Sequence, residues 1–265
     1  DSSESFDWSS QETGHFIVSE YRLPLMKTTV KIQGDVLIQP TEVKTDLSAQ
    51  YLSGGPAKNL KVKIRGLIQP AYFSPDVANA SEYNFFSEPL KPGLVKAEER
   101  HTPEDSFLKV QELTLNSEGG GLAIISNIPK IKKVQQMYVE MEYVDPSGEI
   151  KTTSTQKTLF PSQSVIGLRA DSWLAEPGKT KVMGVITDNN GKVRSGKKYK
   201  VEAFVSKSIT HRKRLVGGFY SYDSKTEIVA LGKVCEGKSD ELGRFQCEPK
   251  GLPAGNITLQ AETTD

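Results

Sequence analysis

Cysteine is nearly absent from this chain, with only Cys235 and Cys247 among 265 residues. Two thiolates cannot complete a tetrahedral zinc site, and no histidine lies near them in sequence. Histidine is as scarce: His15, His101 and His211 fall in three unrelated stretches, with no H-x-H or H-x-x-x-H spacing. No metal site and no cofactor are therefore expected. A G-x-S-x-G elbow and a phosphate-binding G-x-x-x-x-G-K-[ST] loop are both missing, so no catalytic residues are assigned and no enzyme activity is expected. An excess of one charge is missing too. Lysine plus arginine number 34 against 33 aspartate plus glutamate, so no global field draws in nucleic acid or an anionic membrane. No apolar run approaches the roughly 18 to 20 residues of a membrane helix. The opening D-S-S-E-S-F-D-W-S-S carries no secretory leader pattern and reads as the middle of a protein. The chain is expected to be a piece of something longer.

What is present is alternation. Val43, Thr45, Leu47, Ala49 and Tyr51 share one face, with Lys44, Asp46, Ser48 and Gln50 on the other. Leu60, Val62 and Ile64 repeat the pattern, as do Met137, Val139, Met141 and Tyr143. Tyr199, Val201, Ala203 and Val205 follow, then Ile257, Leu259 and Ala261. Each is a strand with one wet face, as antiparallel sandwiches require. Turn signals stand between them: Asp145-Pro146-Ser147-Gly148, Asp188-Asn189-Asn190-Gly191 and Ser117-Glu118-Gly119-Gly120-Gly121. No helical stripe is sustained, and short helical turns are expected only within 106–111. The fold class is all-β, built as stacked antiparallel sandwiches.

A length of 265 residues suits about two domains. The boundary falls near Phe160-Pro161, after a strand over 150–157 and before a fresh one over 165–168. A weak internal repeat supports tandem copies of one sandwich: each half carries an early turn, at 37–40 and at 175–178, then a Gly-rich turn and a basic strand. The first half holds an insertion near 71–103 that is rich in aromatics: Tyr72, Phe73, Tyr83, Phe85 and Phe86. Loops this long usually have a job. The two readings are a contact surface and a cover for a sheet edge. The second half has its own excursion over 206–224, with His211-Arg212-Lys213-Arg214 followed by Phe219, Tyr220 and Tyr222. Basic and aromatic residues together suit nucleic acid. A single cluster in a near-neutral chain reads instead as a solvated loop or an interdomain contact.

The two cysteines flank Asp240-Glu241-Leu242-Gly243, which has turn chemistry. A hairpin folded there would set Cys235 opposite Cys247, close to disulfide range. An even count favours the bridge, and a bridge implies an oxidising compartment.

One pairing of motifs carries more. F-I-V-S-E-Y-R-L-P over 16–24 is followed by D-L-S-A-Q-Y-L-S-G-G-P over 46–56. This resembles the junction between consecutive macroglobulin domains of the alpha-2-macroglobulin and complement family. Ala57-Lys58-Asn59-Leu60 and Val165-Ile166-Gly167-Leu168-Arg169 are similar to bacterial alpha-2-macroglobulins, and the run from His211 to Tyr222 followed by Cys235 and Cys247 is similar to their long periplasmic subgroup. The likeness spans almost the whole chain, and its order and spacing persuade more than any one motif.

The resemblance implies a division into a terminal strand of a preceding macroglobulin domain over 1–21, a sandwich over 22–160 and a second over 161–265 that lacks its last strand. Both sandwiches are expected to be macroglobulin or fibronectin-like. It implies a part in a broad-spectrum protease trap guarding the periplasm: a target cleaves a bait segment, the molecule rearranges, and the protease is held, in many members by a thioester. The thioester motif C-x-E-Q is missing, because Cys235 leads into Glu236-Gly237-Lys238 and Cys247 into Glu248-Pro249-Lys250. No bait segment is recognisable. The chain is thus expected to be scaffold. Its partners would be target proteases, reached through the whole protein, and neighbouring macroglobulin domains, with Tyr72, Phe73, Phe85, Phe86, His211, Arg212, Arg214 and Tyr220 as contact candidates. The segment 16–21 is expected to pair with a sheet edge. The alternative is an adhesin or carbohydrate-binding sandwich with an aromatic platform built from Tyr72, Phe73, Phe85 and Phe86.

Overall fold

A computed structural model describes residues 25–265 except 78, 86–88, 97–104, 175, 177 and 178. The expected pairing of 16–21 therefore lies outside the described residues. Sixteen strands and a single 3-10 turn, Ala80–Glu82, make up the described elements. The first ten strands are β1 (Met26–Ile32), β2 (Leu37–Ile38), β3 (Glu42–Tyr51), β4 (Lys61–Pro70), β5 (Gly93–Lys96), β6 (Ser106–Phe107), β7 (Gln111–Thr114), β8 (Gly120–Ser126), β9 (Gln135–Val144) and β10 (Ile150–Phe160). The remaining six are β11 (Ser164–Ala170), β12 (Val182–Asp188), β13 (Lys198–Arg214), β14 (Tyr220–Lys238), β15 (Arg244–Cys247) and β16 (Asn256–Thr263). The chain is all-β, as the alternation predicts.

Two sheets enclose the first core. One runs β1-β3-β8. The other runs β2-β10-β9-β4-β6, with β7 also on β4. Val43, Leu47 and Ala49 of β3 point in together with Val62, Ile64 and Ile68 of β4 and Met137, Val139 and Met141 of β9. The outward face of β4 and β9 carries Lys63, Arg65, Glu140 and Glu142 in a salt-bridged set. Such exposed pairs stabilise little and mainly keep that face wet.

The second pair of sheets runs β11-β12-β15 and β16-β13-β14-β5. Ile186, Tyr199, Val201 and Phe245 form its centre. The two halves follow one plan. β1-β3-β8 corresponds to β11-β12-β15, and β9-β4-β7 corresponds to β16-β13-β14. They differ at one edge. In the first half β10 runs antiparallel beside β9 over its whole length. In the second half no described strand flanks the outer side of β16. A cleft of about 580 Å³ opens there between β11 and β16, and Ile166, Leu168, Leu259 and Ala261 line it.

One turn recurs four times. Asn116, Asp145, Asp188 and Asp240 each accept backbone N–H bonds two and four residues ahead, at 2.7–3.1 Å. A glycine stands three residues on each time, with φ of 69° to 84°: Gly119, Gly148, Gly191 and Gly243. The short acidic or amide side chain closes the turn, and only glycine takes the left-handed position freely. The copies at 116 and 240 carry the chain from one sheet to the facing one, β7 to β8 and β14 to β15.

That placement corrects the hairpin expected around Asp240. Cys235 and Cys247 are disulfide-bonded with Cα atoms 6.2 Å apart, but they sit on facing sheets rather than on paired strands. β14 pairs with β13 and β15 pairs with β12. The register slips at Val201/Glu202 opposite Val234, so Val234 and Cys235 both turn toward the core. A bulge re-aims a side chain in this way.

Other expectations also fail. The segment 106–111 holds no helical turn. It holds β6 and the start of β7, because Leu108 donates its N–H to Gly66 O at 2.9 Å and packs over that glycine. The stretch 37–40 contains the strand β2, parallel to the end of β10. The excursion over 206–224 is no loop: β13 and β14 continue as a paired ribbon to Arg214 and Tyr220.

Asp145 gives a pH test. Its carboxylate accepts from Ser147 Oγ at 2.5 Å as well as from the N–H groups of Ser147 and Glu149. The Ser147 hydroxyl bond leads the causes that lower its pKa below the usual 3.8. A carboxyl depressed on folding stabilises the fold above its ordinary range and loses that contribution as pH falls through its folded value. Asp145→Asn should lower the urea midpoint at pH 7, and the gap to the parent should close toward about pH 2. A gap that stays constant between these pH values would contradict this.

Candidate functional site

The insertion at 71–103 supplies the most elaborate contacts in the molecule. It leaves the first sandwich at the end of β4 and returns at β6. Between these points it touches the second half at six places. Phe73 stands edge-on to Phe160, with ring centroids 5.1 Å apart, and edge-on to Phe85 at 6.3 Å. Val134, Phe160 and Val165 are buried around them. Asn84 and Leu168 exchange both backbone hydrogen bonds, at 2.9 and 3.1 Å. Arg169 pairs with Glu82, and its guanidinium lies 5.3 Å from the Tyr83 ring centroid. Asp76 backbone packs against Gly191, where a Cβ would come within 2.9 Å of the Asp76 nitrogen. Leu90 N–H donates to Gln260 Oε1 on β16 at 3.0 Å.

The sixth contact is a strand. β5 pairs antiparallel with Lys225–Ile228 of β14, as Lys96↔Lys225 through Gly93↔Ile228. A segment from the first half thus completes a sheet of the second. Pairing across an exposed edge satisfies backbone groups that would otherwise need water. The insertion covers a sheet edge of the second half.

Gly167 makes the aromatic contact possible. It is buried on β11, and a Cβ there would lie 2.5 Å from Phe85 Cε1. A glycine inside an otherwise apolar strand marks close approach by another group. That signal stood in the sequence as Val165-Ile166-Gly167-Leu168. The partners Asn84, Glu82, Arg169 and Gln260 carried no comparable signal. A second latch is Gln39. Its side-chain N–H₂ donates to Ile131 O and to Pro161 O, and its backbone N–H bonds Phe160 O at 3.1 Å. It thereby fixes the segment that joins β10 to β11.

The sequence-derived contact residues separate into two places. Phe73 and Phe85 lie half-buried at the junction. Tyr72 points outward at 92% exposure. Phe86 and His101 lie outside the described residues, as does His15. His211, Arg212, Arg214 and Tyr220 are all on the exposed β13–β14 ribbon, beyond the point where β5 stops pairing with β14. Among the described residues, no cluster of three or more His, Cys, Asp or Glu is placed to hold a metal ion.

Fold and junction define a protein of tandem antiparallel β-sandwiches, joined by an insertion that adds a strand from one to the other. No family model matches the chain. It is 25% identical over 193 residues to an alpha-2-macroglobulin homolog of Nostoc, a match covering 72% of this chain and 10% of that protein. It shares its fold with Salmonella alpha-2-macroglobulin reacted with methylamine, at a TM-score of 0.62 and 12% identity over 92% of this chain and 17% of that one. Native Escherichia coli alpha-2-macroglobulin is similar at 0.62 and 13%, covering 92% and 16%. The same protein activated by porcine elastase is similar at 0.58 and 14%, covering 92% and 22%. Sequence and fold agree with the resemblance read above: the chain is similar to bacterial alpha-2-macroglobulins. It spans about a tenth of the length of its curated relative.

Proposed function

We propose that the chain is a non-catalytic structural stretch of a bacterial alpha-2-macroglobulin, which as a whole traps proteases of broad specificity in the periplasm. In this reading 22–160 and 161–265 are two macroglobulin-like units. Their partners are neighbouring macroglobulin domains directly, and target proteases through the whole molecule. The observation that carries the proposal is the clamp, β5 on β14 with Phe73 and Phe85 beneath it. It couples two sandwiches as a scaffold requires and offers no nucleophile. The missing C-x-E-Q motif supports the same conclusion. The cystine supports an oxidising compartment.

The test uses the chain and two probes. Incubated with methylamine, it should incorporate none. Incubated with trypsin or elastase, it should form no covalent adduct and leave the protease fully active. Covalent capture by this chain would overturn the scaffold reading. The adhesin or carbohydrate-binding reading gains nothing from the aromatics, since Phe73 and Phe85 face the junction rather than an open platform.

A further inference from the structure

The β13–β14 ribbon is left over by the scaffold reading. β16 accompanies β13 only as far as Ser206, and β5 accompanies β14 only as far as Lys225. Beyond them five pairs, Thr210↔Ser224 through Arg214↔Tyr220, stand with no described strand on either side. That is roughly 17 Å of two-stranded ribbon at about 3.3 Å per residue. Such a ribbon is marginal alone in water. A partner would relieve it, and its residues state what kind.

The tip is apolar. Leu215 and Phe219 close a turn, with Leu215 N–H to Phe219 O at 2.7 Å, around Gly217 and Gly218 at φ near +88°. The glycines cost nothing in that conformation and leave Val216 fully exposed and Phe219 74% exposed. Behind the tip comes a collar. The register puts Arg214 with Tyr220 and Arg212 with Tyr222 on one face, and Lys213 with Ser221 on the other. From 206 to 222 the sequence contains no acidic residue. Cations therefore surround the ribbon rather than lining one side.

We propose that this hairpin docks the molecule onto a bilayer rich in anionic phospholipid, with phosphatidylglycerol as the headgroup it meets. The layering matches a bilayer surface in order and depth. Leu215, Val216 and Phe219 enter the acyl boundary, where interfacial segments bury roughly 5–10 Å deep. Arg212, Lys213 and Arg214 lie two to four residues behind Val216 and meet the phosphates, which guanidinium groups bind in bidentate fashion. Tyr220 and Tyr222 occupy the headgroup level, where amphipathic rings concentrate. A flat protein partner would need the cations on one face. A single-stranded nucleic acid would need free ring faces for stacking, and Arg212 already sits 3.5 Å from the centre of the Tyr220 ring. The near-zero net charge of the whole chain does not oppose this. At physiological salt the field that matters reaches about 8 Å, so the collar acts alone.

The test is flotation of the whole chain with vesicles of phosphatidylglycerol and phosphatidylethanolamine in equal parts, beside vesicles of phosphatidylcholine alone. Binding should appear on the first at low salt, weaken at least about tenfold near 0.5 M salt, and be absent on the second. Val216→Ser with Phe219→Ser should weaken it at least about tenfold, as should Arg212→Glu with Arg214→Glu. All four sites are exposed, so the fold should survive, and far-UV circular dichroism checks that. Phe219→Trp should show a blue-shifted emission on anionic vesicles that brominated acyl chains quench, with the parent chain as background. The proposal is overturned by failure to float on anionic vesicles, or by flotation indifferent to the tip variants. Retention on an oligonucleotide or an acidic protein without vesicle binding overturns it equally.

Discussion

Gly184→Val should cost the second sandwich roughly 4 kcal/mol, the sum of overpacking and a displaced core ring. Gly184 on β12 lies directly opposite Phe245 on β15. The phenyl ring folds back over the glycine, so that a Cβ would sit 2.0 Å from Phe245 Cζ and 2.2 Å from Cε1. On its other face the ring stacks on Tyr199, with centroids 3.8 Å apart and planes 15° apart. The phenyl group thus has nowhere to retreat. Valine is the better strand residue, but that preference spans only about 1 kcal/mol and loses to the clash. Urea unfolding followed by tyrosine fluorescence should show a second-sandwich transition at much lower denaturant. Gly184→Val combined with Phe245→Ala should be far less damaging than the sum of the two single changes, because the added methyl groups fill the vacated space. A single variant within about 1 kcal/mol of the parent, below the usual cost of overpacking, would refute the argument.

Loss of the cystine should have the next largest effect. Cys235 and Cys247 are twelve residues apart, and the chain-entropy account gives about 3 kcal/mol for a loop of that size. The effect should fall on the second sandwich, whose two sheets the bridge joins. Its central core is formed by four buried residues, Ile186, Tyr199, Val201 and Phe245. Cys235→Ala with Cys247→Ala should lower the urea midpoint of that half while leaving the first half unchanged. Thiol titration of the denatured, unreduced chain should find almost no free sulfhydryl. Two reactive thiols per chain would contradict the bridge.

The residues that announced themselves are those with one wet face. β3, β4, β9 and the first half of β13 alternate cleanly, because each has a core on one side and water on the other. The same physics hid the ribbon. From Ser206 to Arg214 both faces meet solvent, so Ser-Lys-Ser-Ile-Thr-His-Arg-Lys-Arg shows no apolar alternation and read as a loop. Period two also says nothing of which sheet a strand joins. Hence the cysteines were paired correctly through the wrong geometry: the Asp240 turn crosses between sheets, as the Asn116 turn does in the first half. The junction was half legible. Its aromatics drew notice by density and Gly167 by its place in a strand, but Gly-Leu-Val-Lys over 93–96 is too short to declare itself a strand. It becomes one only because the β14 edge is there to receive it.

That borrowed strand also sets an order of assembly. Its edge partner, Lys225–Ile228, emerges about 130 residues after Lys96. At 5–20 residues per second, synthesis leaves β5 unmatched for roughly 6 to 26 s. The first sandwich can close its own core in that interval, yet the β5 segment of its insertion must wait for its edge. The interval is the window in which a holdase would find this chain, and slowing elongation between 104 and 225 should lengthen it.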